Sequence, residues 1–469
     1  MKFQFPEAQF CAYMDDLGVV LKSGQETEVF QFFCSIAGEV GLKLNVEKSE
    51  VISFVDNLSV VVDDVVVPVV NPKVNKIRYL GSYFGNVDEI KIMLKEKIDS
   101  MKVQFERLKD LTLVPKHLRF YAASTCYNSS VNHLLRTLPP SLTRDFCRSF
   151  NELRTDFLAS LLEVLPSSIQ LNAFLSPDLG GVGYTRANVL CESAFIGGMK
   201  NVLVALQIRF PDSWHSLIST SGLHCFSELK SLIAALPCAQ WSQFFHVSVD
   251  NNIVSCQNLN NLGLTIYKLQ KRLTVLKEAV IFSNILNVAS ESSNVQLVAM
   301  LKDVGSCDTV TSSASCLITQ RPKQLGLSLS DDEWILAMKM RLNIPCFAAT
   351  SAPKCNCGET ATLHHVLNCK NLRVYRTLIH DSVKHSLRNF VSAHGVPVLL
   401  EQTFKQLHPK MSSADKMDLV TSSVGGIELL VDVTSVDTCS HSSCNLSPVA
   451  FLSNGSFENI LGMTLGLLC

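Results

Sequence analysis

The chain has no excess of charge of either sign. Forty-one Lys and Arg stand against 42 Asp and Glu, leaving a net charge of −1. That excludes a protein gripping nucleic acid over its whole surface, so any such contact must come from local patches. No basic segment followed by an apolar run opens the sequence, so no secretory leader is expected and an intracellular location is. The densest apolar run, residues 58–70, is short and carries Asp63 and Asp64, so it does not span a bilayer and no membrane partner is expected. Internal repeats and long low-complexity tracts are missing. So is any Lys or Arg after Lys416.

Cysteine, by contrast, is plentiful. The 17 Cys are odd in number and scattered over 469 residues, which points to reduced thiols, with metal binding where their spacing tightens. The length suggests about three domains. Hydrophobic residues at 47% against 18% charged are enough for large cores.

Two adjacent carboxylates, Asp15 and Asp16, sit between the apolar runs Phe10–Met14 and Leu17–Leu21. The pattern predicts a β-hairpin with the acids at its tip. Paired carboxylates at a wet tip suit Mg²⁺, a hard ion that keeps several waters; a plain turn with two solvated acids fits the tetrapeptide equally. Residues 25–40 read as a helix, with Val29, Phe30, Phe33, Ile36, Ala37 and Val40 on one face. In the next segment Leu42, Leu44 and Val46 alternate with Lys43 and Asn45, which predicts a strand. Lys43 and Lys48 are placed to reach phosphates, or else are simply solvated. Residues 58–62 and 65–70 form a second hairpin candidate, with Pro68 putting its second strand at a sheet edge. KIRYLGSYFG, residues 76–85, reads as a short strand ending in glycine.

The order of these pieces (a YMDD hairpin, a helix, GLKLN with a following Lys, then YLG) resembles the C-terminal half of a reverse-transcriptase palm, in the form found in non-LTR retrotransposons. The resemblance implies that Asp15 and Asp16 are catalytic acids. It places Lys43 and Lys48 beside nucleic acid, and Tyr79, Leu80 and Gly81 on the primer grip. The helical stretch 87–110 is similar to the family's thumb helix, in which a basic face including Lys95 and Lys102 follows the template–primer backbone. Glu96, Asp99, Glu106 and Asp110 dilute that face. Residues 115–140 resemble the helix after the thumb, and LSPDLGGVGY (175–184) the family's glycine loop, where Gly180, Gly181 and Gly183 permit a tight turn. Residues 185–330 are helical in pattern and carry no readable chemistry. Ser330 and Glu333 form a capping box opening a helix through Trp334, Ile335, Met338 and Leu342.

Cys355, Cys357, His365 and Cys369 supply three thiols and one imidazole within fifteen residues, a set that suits tetrahedral Zn²⁺. Gly358 permits the turn, and His364 is an alternative ligand. The frame, with His380 downstream, resembles the CCHC knuckle of non-LTR retrotransposons that carry a restriction-like nuclease. Lys370, Arg373, Arg376 and Lys384 surround it within reach of phosphates. Further on, Asp418 and Asp432 flank a Gly-Gly turn and resemble the paired acids of that nuclease. Thr434 stands where the family has a catalytic Lys, and a stretch before residues 447–462 looks deleted, so no strand cleavage is expected.

The expected fold is α+β: a partial palm sheet (1–86), a helical thumb (87–165), a helical connector (166–345), a small zinc knuckle (346–386) and a short β-rich degraded nuclease (387–469). In the family a third Asp bridges both Mg²⁺ ions, and before Asp15 the only acid is Glu7. The expectation is therefore a truncated RNA-directed DNA polymerase of a transposable element, inactive alone. Mg²⁺ would bind only if its site were completed, and Zn²⁺ in the knuckle. Expected partners are an RNA template and a DNA primer or target, together with self-association through an exposed palm edge. A nuclear location follows if the element is active. The alternatives are a non-catalytic nucleic-acid binder using thumb helix and knuckle, and a neutral scaffold.

Overall fold

The computed structural model describes residues 5–13, 16–55, 58–62, 65–213, 216, 224–235, 268–292, 297–298, 330–345, 354–360, 365, 369–372, 377, 381, 384–385, 388–389, 392, 397–403, 416–421, 430–436 and 462–468. The protein is mixed α+β, mostly helical with small sheets. Among the described residues its helices include α1 (Glu26–Glu39), α2 (Val87–Asp110), α3 (Lys116–Ala122), α4 (Asn128–Ser130), α5 (Asn132–Thr137), α6 (Pro140–Leu162), α7 (Ala187–Arg209), α8 (His224–Ala234), α9 (Leu269–Glu291) and α10 (Asp331–Arg341). The strands are β1 (Gln9–Tyr13), β2 (Asp16–Val20), β3 (Val51–Ile52), β4 (Val60–Val62), β5 (Val65–Val67), β6 (Val69–Val70), β7 (Lys76–Tyr79), β8 (Ser82–Gly85), β9 (Val398–Thr403), β10 (Lys416–Thr421), β11 (Leu430–Val436) and β12 (Gly462–Leu468). Two compact units result, one from residues 1–104, 128–151 and 187–274, the other from 105–127, 152–186 and 275–469.

In the first unit β1 and β2 pair antiparallel, with Phe10 opposite Val19 and Tyr13 opposite Asp16. Phe10 and Val19 pack on Val29 and Phe33 of α1, the rings of Phe10 and Phe33 meeting edge-on at 5.7 Å. The α1 helix ends in a Schellman motif: Gly41 sits at φ 75°, its N–H donates to Gly38 O, and the Leu42 N–H returns to Ala37 O at 2.8 Å. This closure corrects the strand expected at residues 42–46. Leu42 spends its N–H on the helix and is 68% exposed, and Asn45 caps a 3₁₀ turn, Val46–Lys48, by accepting from the Lys48 N–H.

The expected valine hairpin forms as β4 and β5, and Val60, Val62 and Val67 are buried beside Phe30 and Cys34 of α1. Pro68, lacking an N–H, divides that strand from β6, which pairs parallel to β3. Residues 76–85 are not one strand but the hairpin β7–β8. Leu80 (φ 47°) and Gly81 (φ 77°) both take the left-handed conformation, as a two-residue type I′ turn demands. The α2 helix forms as expected; Asn86 Oδ1 caps it by accepting from the N–H groups of Asp88 and Glu89 at 3.0 and 3.1 Å.

The largest core of this unit joins Phe195, Ile196, Met199 and Leu203 of α7 to Phe226, Leu229, Leu232 and Ile233 of α8 and to Leu269 and Leu273 of α9. Both α7 and α9 are long and apolar enough to cross a membrane; these α7 side chains are packed into the core instead. Gly198 lets α5 and α7 touch backbone to backbone, since a Cβ there would lie 2.3 Å from Arg136 O.

In the second unit Trp334, Phe120 and Tyr184 are buried together, with Phe120 centred 5.6 Å from Trp334 and 5.1 Å from Tyr184. The capping box at Ser330 and Glu333 is present. Its neighbour Asp331 also accepts the Lys116 N–H at 2.7 Å, so the start of α10 caps the start of α3 across 215 residues. The glycine loop is pinned by Arg341, which donates to Pro177 O and Gly181 O at 2.5 and 3.1 Å. Thr185 Oγ1 donates to buried Glu278 at 2.6 Å, and burial raises the Glu278 carboxyl above the ordinary range in spite of donors from Thr185 and Ser176. At the C-terminal end β12-β11-β10-β9 form one four-stranded sheet.

Gly198→Ala should destabilise the chain by about 1–3 kcal/mol through forced backbone separation, read as a lower urea midpoint. For Glu278 the folded carboxyl holds its proton to higher pH than the unfolded one. Its stabilising protonation is complete below the unfolded value and is lost as pH rises through the raised folded value. Glu278→Gln should therefore gain on the parent chain as pH rises through that window toward neutral. A constant difference across pH would show that Glu278 does not titrate there.

Candidate metal centre

A tight turn and one helical step bring four ligand atoms together. Lys354 and Thr360 form an antiparallel bridge. Inside it the Cys355 N–H donates to Glu359 O and the Gly358 N–H to Cys355 O, both at 2.8 Å, with Gly358 at φ 93°. That turn sets Cys355 and Cys357 side by side. The Cys369 N–H then donates to His365 O at 2.7 Å, placing those two residues four apart on one face.

The Cys355 and Cys369 sulfurs lie 3.7 Å apart, and Cys357 Sγ lies 3.2 Å from His365 Nε2. All four ligand atoms fall within 4.8 Å of one another. Tetrahedral Zn²⁺ with Zn–S bonds of about 2.3 Å sets sulfurs about 3.8 Å apart, so the spacing fits such an ion. Three sulfurs and an imidazole favour a soft or borderline cation and disfavour Mg²⁺. Cys357 is exposed and Cys369 is 8% exposed. The Cys357 backbone N–H, and after it the His365 ring, lower the pKa of the Cys355 thiol below the ordinary thiol range. His364 and His380 lie outside the described residues.

Lys384 does not belong to a phosphate-binding surface, contrary to expectation. It is 4% exposed, and its Nζ lies 2.6 Å from Glu401 and 2.9 Å from Asp381. Glu401 first, and Asp381 after it, raise its pKa. Sequence reasoning missed this because Glu401 is 17 residues away, on β9, at a φ of 50°. Lys354, Lys370, His385 and Arg388 are exposed, with no carboxylate partner among the described residues. Arg373 and Arg376 lie outside those residues.

The other expected sites are placed as follows. Asp16 opens β2, and Asp15 lies outside the described residues. Lys43 and Lys48 are exposed. Tyr79, Leu80 and Gly81 sit at the β7–β8 tip, which α5 holds: His133 Nε2 lies 3.0 Å from Leu80 O, and Ser82 Oγ donates to Thr137 Oγ1 at 2.6 Å. No sequence signal marks His133, 53 residues from Leu80. Lys95 and Lys102 are exposed on α2, which carries six basic and six acidic residues and so has no net charge. Asp418 and Asp432 lie on the paired strands β10 and β11, each one residue beyond the pair Leu419 and Val431.

No family model matches the chain, and no curated protein matches it.

The reduced chain should take up one Zn²⁺, measured by elemental analysis after gel filtration. Cys355→Ser or Cys369→Ser should bring that stoichiometry close to zero. His365→Ala should do the same while His364→Ala leaves it at one; the reverse would move the ligand to His364.

Proposed function

We propose that the chain is a reverse-transcriptase-derived protein of the non-LTR retrotransposon type, in which polymerase and nuclease remnants accompany a zinc-organised lobe. The observation that carries this reading is the register of the first hairpin, Tyr13 opposite Asp16. It sets Asp16 at the bend between neighbouring antiparallel strands, where two-metal phosphoryl chemistry needs carboxylates. Support also comes from the elements after that hairpin and their order: a packed helix, a hairpin with Tyr79, Leu80 and Gly81 at its tip, and a long amphipathic helix. Asp15 and Asp16 do not by themselves bridge two ions, so the chain alone does not extend a primer. In the tail Asp418 and Asp432 stand on adjacent strands without a following Lys, and the tail does not cut DNA.

A second reading, nucleic-acid binding without chemistry, is favoured by the exposed cations of the metal lobe. Lys354, Lys370 and Arg388 are available to phosphates, whereas α2 is electrostatically neutral.

Primer extension on an RNA template with Mg²⁺ should yield no product. Synthesis abolished by Asp15→Ala would overturn the inactivity and keep the ancestry. Binding to single-stranded RNA should weaken with salt and with chelator. Lys370→Ala and Arg388→Ala should each lower the salt slope by about 1. Binding indifferent to salt, chelator and both substitutions would remove the second reading.

A further inference from the structure

We infer that the thiols of the metal centre are also a peroxide-responsive pair, in which Cys355 and Cys369 close to a disulfide and eject the ion. The inference rests on the metal-centre reading and concerns its regulation. The Cys355 and Cys369 sulfurs are 3.7 Å apart, within hydrogen-bond contact of each other. Cys357 stands nearer to a nitrogen, His365 Nε2 at 3.2 Å. A Cys355–Cys357 bridge would enclose a single residue, whereas thirteen residues separate Cys355 from Cys369.

Between the two sulfurs of the bridge, exposure sets the order of events; Cys357 is more exposed than either, and the test below must find it outside the bridge. Cys355 is half-buried and Cys369 is buried. Hydrogen peroxide, the oxidant, accepts two electrons from the Cys355 sulfur; its O–O bond breaks, one oxygen stays on sulfur as a sulfenic acid, and the other leaves as water with the thiol's proton. The Cys369 thiol then attacks that sulfur and gives up its proton. The S–S bond forms, the S–O bond breaks, and hydroxide leaves and is protonated to a second water. Two thiols and one peroxide become one disulfide and two waters. Cys357 and His365 remain as two ligands of the four a structural zinc requires, and the ion departs. A dithiol reductant reverses the step.

The reduced 469-residue chain, loaded with zinc and desalted, is treated with hydrogen peroxide while free zinc is followed with a chromogenic chelator. One zinc should be released per disulfide formed, and dithiothreitol with added zinc should restore the site. No Lys or Arg lies between Lys354 and Lys370, so trypsin leaves the three cysteines on one peptide, and cleavage after Glu359 separates Cys355 and Cys357 from Cys369. The two pieces should stay linked, with Cys357 alkylatable; Cys357→Ser should still link and Cys369→Ser should not. Zinc bound but released with no disulfide, or with one involving Cys357, overturns the inference and leaves the metal centre intact. A chain that binds no zinc yet forms the Cys355–Cys369 bridge overturns the metal centre instead, and a chain doing neither overturns both.

Discussion

A segment with little apolar surface needs something other than burial to hold its shape. Around residues 354–372 the structure answers with three sulfurs and one imidazole converging within 4.8 Å. Of the four, only Cys369 is buried, and its neighbours Lys370 and Asn371 are exposed. Among the described residues little apolar burial offsets the conformational entropy of such a turn, and an ion held by the four ligands would supply folding energy there. A second anchor lies further along. Lys384 is buried between Asp381 and Glu401, and a buried ammonium that loses its carboxylates is left with an uncompensated desolvation cost. The segment following the metal ligands is thereby tied to β9, and through β9 to the four-stranded sheet.

Much of this was legible in the sequence, for local reasons. The α2 helix, the valine hairpin and the capping box at Ser330 are each specified by residues within a few positions of one another. The four metal ligands share that property, since a short loop needs no distant partner. The failures share the opposite one. Residues 42–46 alternate like a strand, yet the Leu42 N–H was already committed to closing α1. The turn at residues 80–81 was hidden because Leu is an uncommon choice for a positive φ, accepted here with His133 against the tip. Lys384 read as a surface cation because nothing nearby announces Glu401.

Charge is distributed in a way that the neutral total conceals. The α2 helix balances six cations with six anions, and some are paired, as Lys109 is with Glu106 at 2.8 Å. The metal lobe keeps exposed cations without such partners among the described residues. Beyond Lys416 the chain carries only acids. The long helix that composition alone would nominate as a basic surface is thus electrically balanced, and unpaired positive charge among the described residues lies beside the Cys/His cluster.

The Asp331 carboxylate, which caps α3 from 215 residues downstream, bears on how the chain is made. A ribosome adding roughly 5–20 residues per second delivers Asp331 about 11–43 s after Lys116. Throughout that interval α3 has an open first turn, and Phe120 waits for Trp334, which arrives on the same late segment. The packing of α3 against α10 is therefore a late event, and the apolar face of α3 that carries Phe120 stays uncovered by Trp334 for tens of seconds.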